Sequence, residues 1–296
     1  MSVCGFAHMI ATRGSAGTPP WGRTFRPERN YPRKLCERQT SMARIISIAN
    51  QKGGVGKTTT AVNLSSGLAV AEKKTLLIDL DPQANATSGL GCELKEDQPS
   101  VYEVMIGSSS VEEAVVPTAV PYLDVLPADI KLVGAEIELV GMETRERMLR
   151  GAIRDWALAN YEYIFIDSPP SLGLLTLNGL TCADTVLIPI QCEYYALEGL
   201  SQLLNTVRLV QKHLNTDLGI EGGLLTMYDP RLNLSRQVAE EIRTYFEGRV
   251  FQTIIHRNVR LSEAPSFGQP IMLYDITSKG AENYLALAEE VMNHDR

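Results

Sequence analysis

Long apolar runs are missing from this sequence. No stretch reaches the roughly 18 consecutive apolar residues that a membrane-spanning helix needs, so the sequence predicts a soluble protein with no membrane partner. Paired cysteines are missing as well, because no C-x-x-C motif or regular framework occurs among the five, which are Cys4, Cys36, Cys92, Cys182 and Cys192. This usage is typical of a reducing cytoplasm, where we expect the protein to be located.

Positive charge is scarce over most of the chain. The 28 Lys and Arg residues stand against 35 Asp and Glu, for a net charge of −7. Residues 1–41 hold seven basic residues against Glu28 and Glu37, a charge of +5, which leaves −12 for residues 42–296. An acidic body is unsuited to binding DNA over its whole surface. Any DNA contact therefore has to come from a local basic patch.

Residues 1–41 differ in composition from the rest. They are rich in Gly, Pro and Ser and lack apolar periodicity, which predicts disorder. Three interpretations stay open, in this order: a start-codon artefact with Met42 as the true initiator, an organelle transit peptide, or a basic arm that helps to hold DNA. The segment is too short and irregular for a helix-turn-helix domain. Residues 42–296 contain no evident linker and are predicted to form one domain.

A glycine-rich loop between a strand and a helix is the strongest motif. It follows the apolar run 45–49 and precedes an amphipathic run from Ala61 to Val70. Glycines allow consecutive backbone N–H groups to converge on phosphate oxygens, and the helix start adds the positive end of its dipole. Lys57 is expected to reach the β- and γ-phosphates, and the Thr58 hydroxyl to bind Mg²⁺. The predicted nucleotide-binding residues are Gly53, Gly54, Val55, Gly56, Lys57, Thr58 and Thr59.

This loop departs from the ordinary G-x-x-x-x-G-K-[ST] pattern. Gln51 occupies the position of the first glycine, and a second lysine, Lys52, stands at the loop entrance. One lysine is enough for a single pair of phosphates, so Lys52 is a candidate for reaching a nucleotide held by another subunit. The alternative is a solvated loop charge.

Carboxylates follow two further apolar strands. Asp79 and Asp81 end the run 75–78, and Asp167 ends the run 163–166. Ligands bind at the C-terminal edge of an open parallel sheet. Asp167 fits the Walker B pattern and is placed to hold Mg²⁺ through water. Helix capping or turn formation is the structural alternative for Asp79 and Asp81.

Strands and helices alternate along the remaining chain. We predict an α/β fold with a single doubly wound, mostly parallel sheet flanked by helices. The segment 89–120 is difficult to interpret beyond a short helix near 101–105. The other predicted strands are 123–127, 185–190, 223–229 and 252–255, and the other predicted helices are 143–159, 196–214, 235–246 and 280–292.

The segment Lys52–Thr59 resembles the deviant Walker A loop of the ParA/MinD group of P-loop ATPases, and residues 42–296 most resemble its ParA/Soj chromosome-partitioning members. The link from Gln191 to Gly199 is also similar to those proteins. The resemblance implies a slow ATPase that uses ATP and Mg²⁺. It gives Lys52 and Lys57 catalytic roles, and Asp81 the tasks of orienting the attacking water and serving the metal site, with Asp79 supporting the Mg²⁺ shell.

The resemblance also implies partners. It predicts an ATP-dependent homodimer, nonspecific double-stranded DNA bound through Arg231 and Arg260 with Arg257 nearby, a ParB-type centromere-binding protein, and a nucleoid-associated location. Met227 and Asn258 are the candidate adenine contacts. His256 stands where the family usually has proline, a departure that affects the base pocket.

Competing functions within the same fold stay open. The main alternative is a ParA-like ATPase that positions another cargo on the nucleoid. A MinD-like membrane ATPase would need a basic amphipathic tail, which the acidic C-terminus does not offer. An iron–sulfur carrier would need suitably paired cysteines. A small-molecule kinase or amide ligase would need a substrate pocket and turnover that depends on a metabolite.

Overall fold

The computed structural model describes residues 43–193, 196–246 and 248–294. The predicted disorder of residues 1–41 lies outside the described residues, as do Tyr194 and Tyr195 of the family-like link. Within the described residues, no helix combines the length and the apolar character that a bilayer crossing requires.

Seven strands form one sheet in the order β3-β4-β2-β5-β1-β6-β7. All neighbouring pairs are parallel except β3 and β4, which are antiparallel. This sheet confirms the predicted fold class. The strands are β1 Arg44–Ile48, β2 Thr75–Asp79, β3 Val116–Pro117, β4 Leu123–Leu126, β5 Tyr163–Asp167, β6 Thr185–Gln191 and β7 Gly219–Thr226.

Helices cover both faces of the sheet. They are α1 Lys57–Val70, α2 Asn85–Gly89, α3 Val101–Met105, α4 Val111–Ala114, α5 Leu132–Glu138, α6 Met148–Asn160, α7 Leu174–Cys182, α8 Ala196–His213, α9 Asn233–Tyr245, α10 Val259–Glu263, α11 Ile271–Tyr274 and α12 Lys279–Asn293, with 3₁₀ turns at Leu139–Gly141, Arg145–Arg147 and Ala264–Phe267.

Alternation along each strand divides the core into two layers. Ile45 packs in the cluster on one face of the sheet, and the next residue, Ile46, packs in the cluster on the other. Leu76 and Leu77 repeat this division on β2. Successive side chains of a strand point to opposite faces, so strands buried on both sides appear in sequence as continuous apolar runs. This explains why these strands could be predicted.

The helix that follows the glycine loop is held by the C-terminal part of the chain. The Thr60 hydroxyl lies 3.2 Å from the buried Tyr284 hydroxyl of α12. The Asn63 side-chain oxygen accepts the Ile271 backbone N–H at 2.7 Å. Helix α1 is therefore buried on most sides, which fixes the orientation of its N-terminus towards the loop.

The predicted strand 252–255 is wrong. The segment runs beside β7, where isolated bridges join Gly223 to Val250 and Tyr228 to His256. Between them, the Gln252 and Thr253 backbone N–H groups donate instead to the Glu290 carboxylate of α12, at 2.6 and 2.9 Å. Because a side chain from a distant helix satisfies these donors, the ladder is interrupted.

The difficult segment 89–120 contains two short helices with reciprocal caps. Ser100 and Glu103 form a capping box at α3, which confirms the predicted helix 101–105. Ser110 and Glu113 form another at α4. The S-x-x-E spacing of a capping box is visible in the sequence. It is the signal that would have located α4.

We expect Glu290→Ala to lower the free energy of unfolding by about 1–3 kcal/mol, because two backbone N–H groups lose their acceptor. Urea denaturation measures this change. Glu289→Ala, at the exposed neighbouring position, is the matched control and should be close to neutral. Equal stability of the two variants would contradict the role given to Glu290.

Candidate active site

The strand ends bring the predicted acidic residues to the glycine loop. In the register of the sheet, Asp167 at the end of β5 is paired with Ile48 of β1 on one side and with Asp79 of β2 on the other. The loop leaves β1 directly above this point. Three neighbouring parallel strands thus deliver the loop and the carboxylates to one edge, where ligands of such sheets bind.

The glycine loop has the backbone conformation that its glycines allow. Gly54 and Gly56 have φ angles of +74° and +89°, which residues with a Cβ rarely adopt. The loop is anchored from two other strand ends: the Asn50 side chain donates to the Pro189 carbonyl at 2.7 Å, and the Thr226 hydroxyl donates to the Val55 carbonyl at 2.8 Å. Helix α1 starts at Lys57, so its N-terminus faces the loop and favours an anion there.

Lys57 is buried at the base of the loop. Its Nζ donates to the Lys52 carbonyl at 3.3 Å. Burial lowers the pKa of Lys57, and the nearby carboxylates of Asp167 and Asp81 oppose that change. An ammonium group in this position has lost much of its hydration. A bound polyphosphate would therefore stabilise its charged form.

Asp167 is fully buried, and neither of its carboxylate oxygens has a hydrogen-bond partner within the described residues. Burial raises its pKa well above the ordinary value, and Asp79 raises it further. The Thr58 hydroxyl and Lys57 act in the opposite direction. A buried carboxylate beside a threonine hydroxyl suits Mg²⁺, a hard cation that prefers oxygen ligands.

No cluster of three or more His, Cys, Asp or Glu side chains in the described part of the chain is arranged to hold a metal ion. A Mg²⁺ ion at Thr58 and Asp167 would therefore take most of its ligands from phosphate and water, as this ion commonly does.

Asp79 orders the segment that carries Asp81. One of its oxygens accepts from the Thr87 backbone N–H and hydroxyl, each at 2.8 Å, and the other accepts from the Asp81 N–H at 3.1 Å. Burial raises the pKa of Asp79 to about 6, against these hydrogen bonds. The contacts of Asp79 thus match the structural alternative, which was turn formation. Its support of the Mg²⁺ shell stays a prediction.

Asp81 lies at the start of the following turn. One oxygen accepts the Gln83 N–H at 2.9 Å, and the side chain is close enough to Lys57 to raise the pKa of that lysine. The structure therefore brings Lys57, Asp81 and Asp167 together, and their roles in binding and catalysis stay predictions.

Lys52 extends away from this group. Its Nζ lies 3.3 Å from the Glu193 carboxylate, and both side chains are partly exposed. The Gln191 side chain donates to the other Glu193 oxygen. An exposed pair of this kind contributes little to stability, so Lys52 can exchange Glu193 for another anion at small cost.

The two loops predicted to hold adenine lie side by side. Tyr228 bridges to His256, and their rings meet edge to face with centroids 5.7 Å apart. Met227 has a φ of +50°, an unusual conformation for a residue with a Cβ. The Asn258 side-chain oxygen caps α10 by accepting the Arg260 N–H at 2.8 Å, which leaves its amide group to donate to a base.

His256 has a contact that proline could not make. Its backbone N–H and its ring Nδ1 both lie 3.2 Å from the Asn283 side-chain oxygen. The departure from the family pattern therefore adds a donor to this loop.

The predicted DNA-binding arginines lie in the same two loops or, for Arg260, in the first turn of α10 that follows, and all three face solvent. Carboxylates already hold two of them. Arg231 forms a bidentate pair with Asp229 at 2.9 and 2.6 Å, which lowers the pKa of Asp229 to about 2. Arg260 contacts Glu263 at 3.0 Å and Asp275 at 3.5 Å. Arg257 is exposed and close enough to Asp229 to lower its pKa.

Four residues that hold the site together were not predicted from the sequence. Thr226 anchors the loop, Glu193 pairs with Lys52, Thr87 holds Asp79, and Asp229 pairs with Arg231. All but Thr87 stand at or just after the end of a strand, and that position is the signal that would have marked them.

The fold and the loop define a P-loop ATPase of the deviant Walker A type. A family model described as an AAA domain matches residues 43–220. The chromosome partitioning protein ParA of Myxococcus xanthus is 58% identical over 255 residues, which cover 86% of this chain and 90% of that protein. The sporulation initiation inhibitor protein Soj of Bacillus subtilis is 61% identical over 250 residues, which cover 84% of this chain and 98% of that protein. The chain belongs to the ParA/Soj family of chromosome-partitioning ATPases.

A similar solved structure carries a different name. Cobyrinic acid a,c-diamide synthase from Mycobacterium smegmatis, with bound ADP and magnesium, superposes with a TM-score of 0.75 at 38% identity. The match covers 86% of this chain and 95% of that one.

We expect Asp167→Asn to separate folding from metal binding. Because folding raises the pKa of Asp167, the native nucleotide-free protein binds more protons than the unfolded chain above the ordinary value of 3.8, and it loses stability as pH rises from there towards the raised pKa. The amide removes this charge, so the nucleotide-free variant should be at least as stable as the wild type at pH 7 and less dependent on pH.

The same variant should lose the additional thermal stabilisation that Mg²⁺ gives over ATP alone. Thermal unfolding with and without ATP, Mg²⁺ and a chelator measures both effects. A nucleotide-free variant that is clearly less stable than the wild type, or an unchanged effect of Mg²⁺, would contradict this account of Asp167.

Proposed function

We propose that this chain is an ATP-driven dimerisation switch that binds nonspecific DNA as the ATP dimer. The observation that carries the proposal is the pair of lysines. Lys57 is buried beside Asp81 and Asp167, whereas Lys52 points outward and is held by the partly exposed Glu193. A second lysine directed out of the loop can bind the γ-phosphate of a nucleotide that is held by a facing subunit.

The contacts at the site support a division of labour among its residues. The loop from Gly53 to Thr59 and Lys57 bind the phosphates, and Thr58 with Asp167 holds Mg²⁺. The similar solved structure holding ADP and magnesium supports this assignment. Asp81, beside Lys57, positions the attacking water. Met227 and Asn258, from the two adjacent loops, contact adenine.

DNA binding is assigned to Arg231 and Arg260, with Arg257 between them in the sequence. A guanidinium can donate two hydrogen bonds to one backbone phosphate without contacting the bases, so this contact does not depend on the DNA sequence. In the free chain, the guanidinium of Arg231 is paired with Asp229 and that of Arg260 with Glu263. A DNA phosphate therefore has to displace a carboxylate. Each patch is therefore weak alone, and a dimer with two patches gains by linking them.

The names of the relatives support a role in chromosome partitioning. We propose that the chain acts in this role on the nucleoid, with a ParB-type partner that stimulates slow ATP hydrolysis. Positioning of another cargo uses the same switch and stays the alternative. An amide-forming activity, named for the Mycobacterium smegmatis protein, would be favoured by turnover that depends on a metabolite and not on DNA or a protein activator.

We expect Lys52→Ala to abolish ATP-dependent dimers and to leave nucleotide binding by the monomer largely intact, because Lys57 supplies the charge within the subunit. Sedimentation velocity with ATP or ADP and a fluorescent-nucleotide titration measure the two properties. Lys95→Ala, at an exposed loop position, is the matched control. Normal dimers of Lys52→Ala would remove Lys52 from the interface.

We expect residues 42–296 to bind random duplex DNA with ATP and much more weakly with ADP. With ATP, the Kd should be on the order of 10⁻⁴ to 10⁻⁶ M at physiological salt. The affinity should fall steeply as the salt concentration is raised. Arg231→Ala or Arg260→Ala should reduce the slope of log K against log salt by about 1.8, since each removes two phosphate contacts from a dimer at about 0.9 each.

Arg208→Ala, on the exposed surface of α8, is the control for this measurement. Fluorescence anisotropy over a salt series gives the slopes. DNA binding that is equal with both nucleotides, or absent with both, would reject the DNA switch and would favour a protein-directed or metabolic ATPase.

A further inference from the structure

Four large apolar side chains form a stripe on the surface that runs from the turn before α5 to the 3₁₀ turn after it. They are Ile130, Val133, Ile137 and Val140, with exposed fractions of 68%, 48%, 75% and 58%. Their spacing of three, four and three residues places them on one face of the helical segment. We call these four residues the α5 stripe.

The opposite face of the same segment is already in the core. Leu132, Ala135 and Leu139 are fully buried. A surface helix normally needs one apolar face, with polar residues on the other. Contiguous exposed β-branched residues therefore mark an interaction surface rather than a requirement of folding.

The α5 stripe begins beside the catalytic carboxylates. Ile130 and Asp129 line a cleft of about 400 Å³ together with Pro82, Gln83 and Ala84, the residues that directly follow Asp81. The Ala128 N–H donates to the Thr87 hydroxyl at 3.1 Å, and that hydroxyl donates to Asp79. The stripe thus begins at the edge of the site, two residues after Ala128, which is hydrogen-bonded to Asp79 through the Thr87 hydroxyl.

Two charged groups of this segment, Lys131 and Glu138, already have partners within the chain. Lys131 contacts Glu103 at 3.2 Å and Asp129 at 3.7 Å, and the Tyr102 hydroxyl donates to Glu138 at 3.1 Å. The stripe therefore presents apolar surface without a strong charge of its own. An apolar surface is complementary to a copy of itself, as a two-fold interface requires.

We propose that the α5 stripe packs against the second copy of this chain and supplies the apolar part of the ATP-dimer interface. This inference rests on the proposed dimerisation switch. The centre of that interface, around Lys52, Lys57 and Asp81, is charged and polar, whereas the buried core of homodimer interfaces is enriched in apolar area. The stripe begins next to this centre and provides such area.

The test is the oligomeric state of the full chain in Mg²⁺ and ATP, measured by sedimentation velocity over a concentration series. Ile137→Glu and Val133→Glu should each raise the dimer dissociation constant roughly tenfold or more, because a charge at a desolvated interface position has no partner there. Ile137→Leu should dimerise like the wild type. Because these side chains are exposed in the monomer, circular dichroism and the affinity for a fluorescent nucleotide should not change.

Leu209→Glu is the matched control. Leu209 is 60% exposed on α8, outside the α5 stripe, so it tests whether a charge at any exposed apolar position prevents dimers. This control should dimerise normally.

Unchanged dimers of Ile137→Glu and Val133→Glu would overturn the inference and leave the proposed switch standing. Normal dimers that no longer respond to a ParB-type protein would assign the stripe to that partner and would also overturn it. A wild-type chain that stays monomeric in Mg²⁺ and ATP would reject the proposed switch, and the α5 stripe assignment with it.

Discussion

A pair of carboxyl groups buried at the centre of the sheet is the constraint on which the rest of the structure depends. Asp167 and Asp79 are fully buried on neighbouring strands, and the cost of burying their charges raises the pKa of each. Donors from Thr87 and Asp81 satisfy Asp79, whereas Asp167 has Lys57 and the Thr58 hydroxyl nearby. A cation bound here relieves that cost, so binding energy and folding energy become linked.

Three basic surface side chains of the proposed switch have acidic partners. Lys52, Arg231 and Arg260 are each engaged by a carboxylate from a residue of the same chain, in partly or largely exposed pairs. Such pairs are screened by water and salt and have little net strength. Each cation can therefore change partner without a large barrier. In the proposed switch, the buried centre binds the nucleotide and the surface offers groups that are easily redirected.

The sequence allowed prediction of the sheet and of the loop because both depend on local patterns. Double-sided burial produces continuous apolar runs such as Tyr163–Ile166, and the special φ angles of the loop require glycine at positions 54 and 56. The interruption at 252–253 could not be predicted, since it depends on Glu290, nearly forty residues later in the chain. The pairing of Lys52 with Glu193 and of Arg231 with Asp229 likewise depends on three-dimensional proximity or on side-chain rotamers.

The α5 stripe shows where local patterns reach their limit for function as well. Its segment is apolar on both faces, which in a sequence reads as a fully buried helix. The structure buries Leu132, Ala135 and Leu139 and leaves Ile130 and Ile137 in solvent. A monomer gains nothing from that exposure. A two-fold dimer around a charged phosphate site gains apolar area that the glycine loop itself cannot offer, so the same helix that completes the monomer core is suited to complete the dimer.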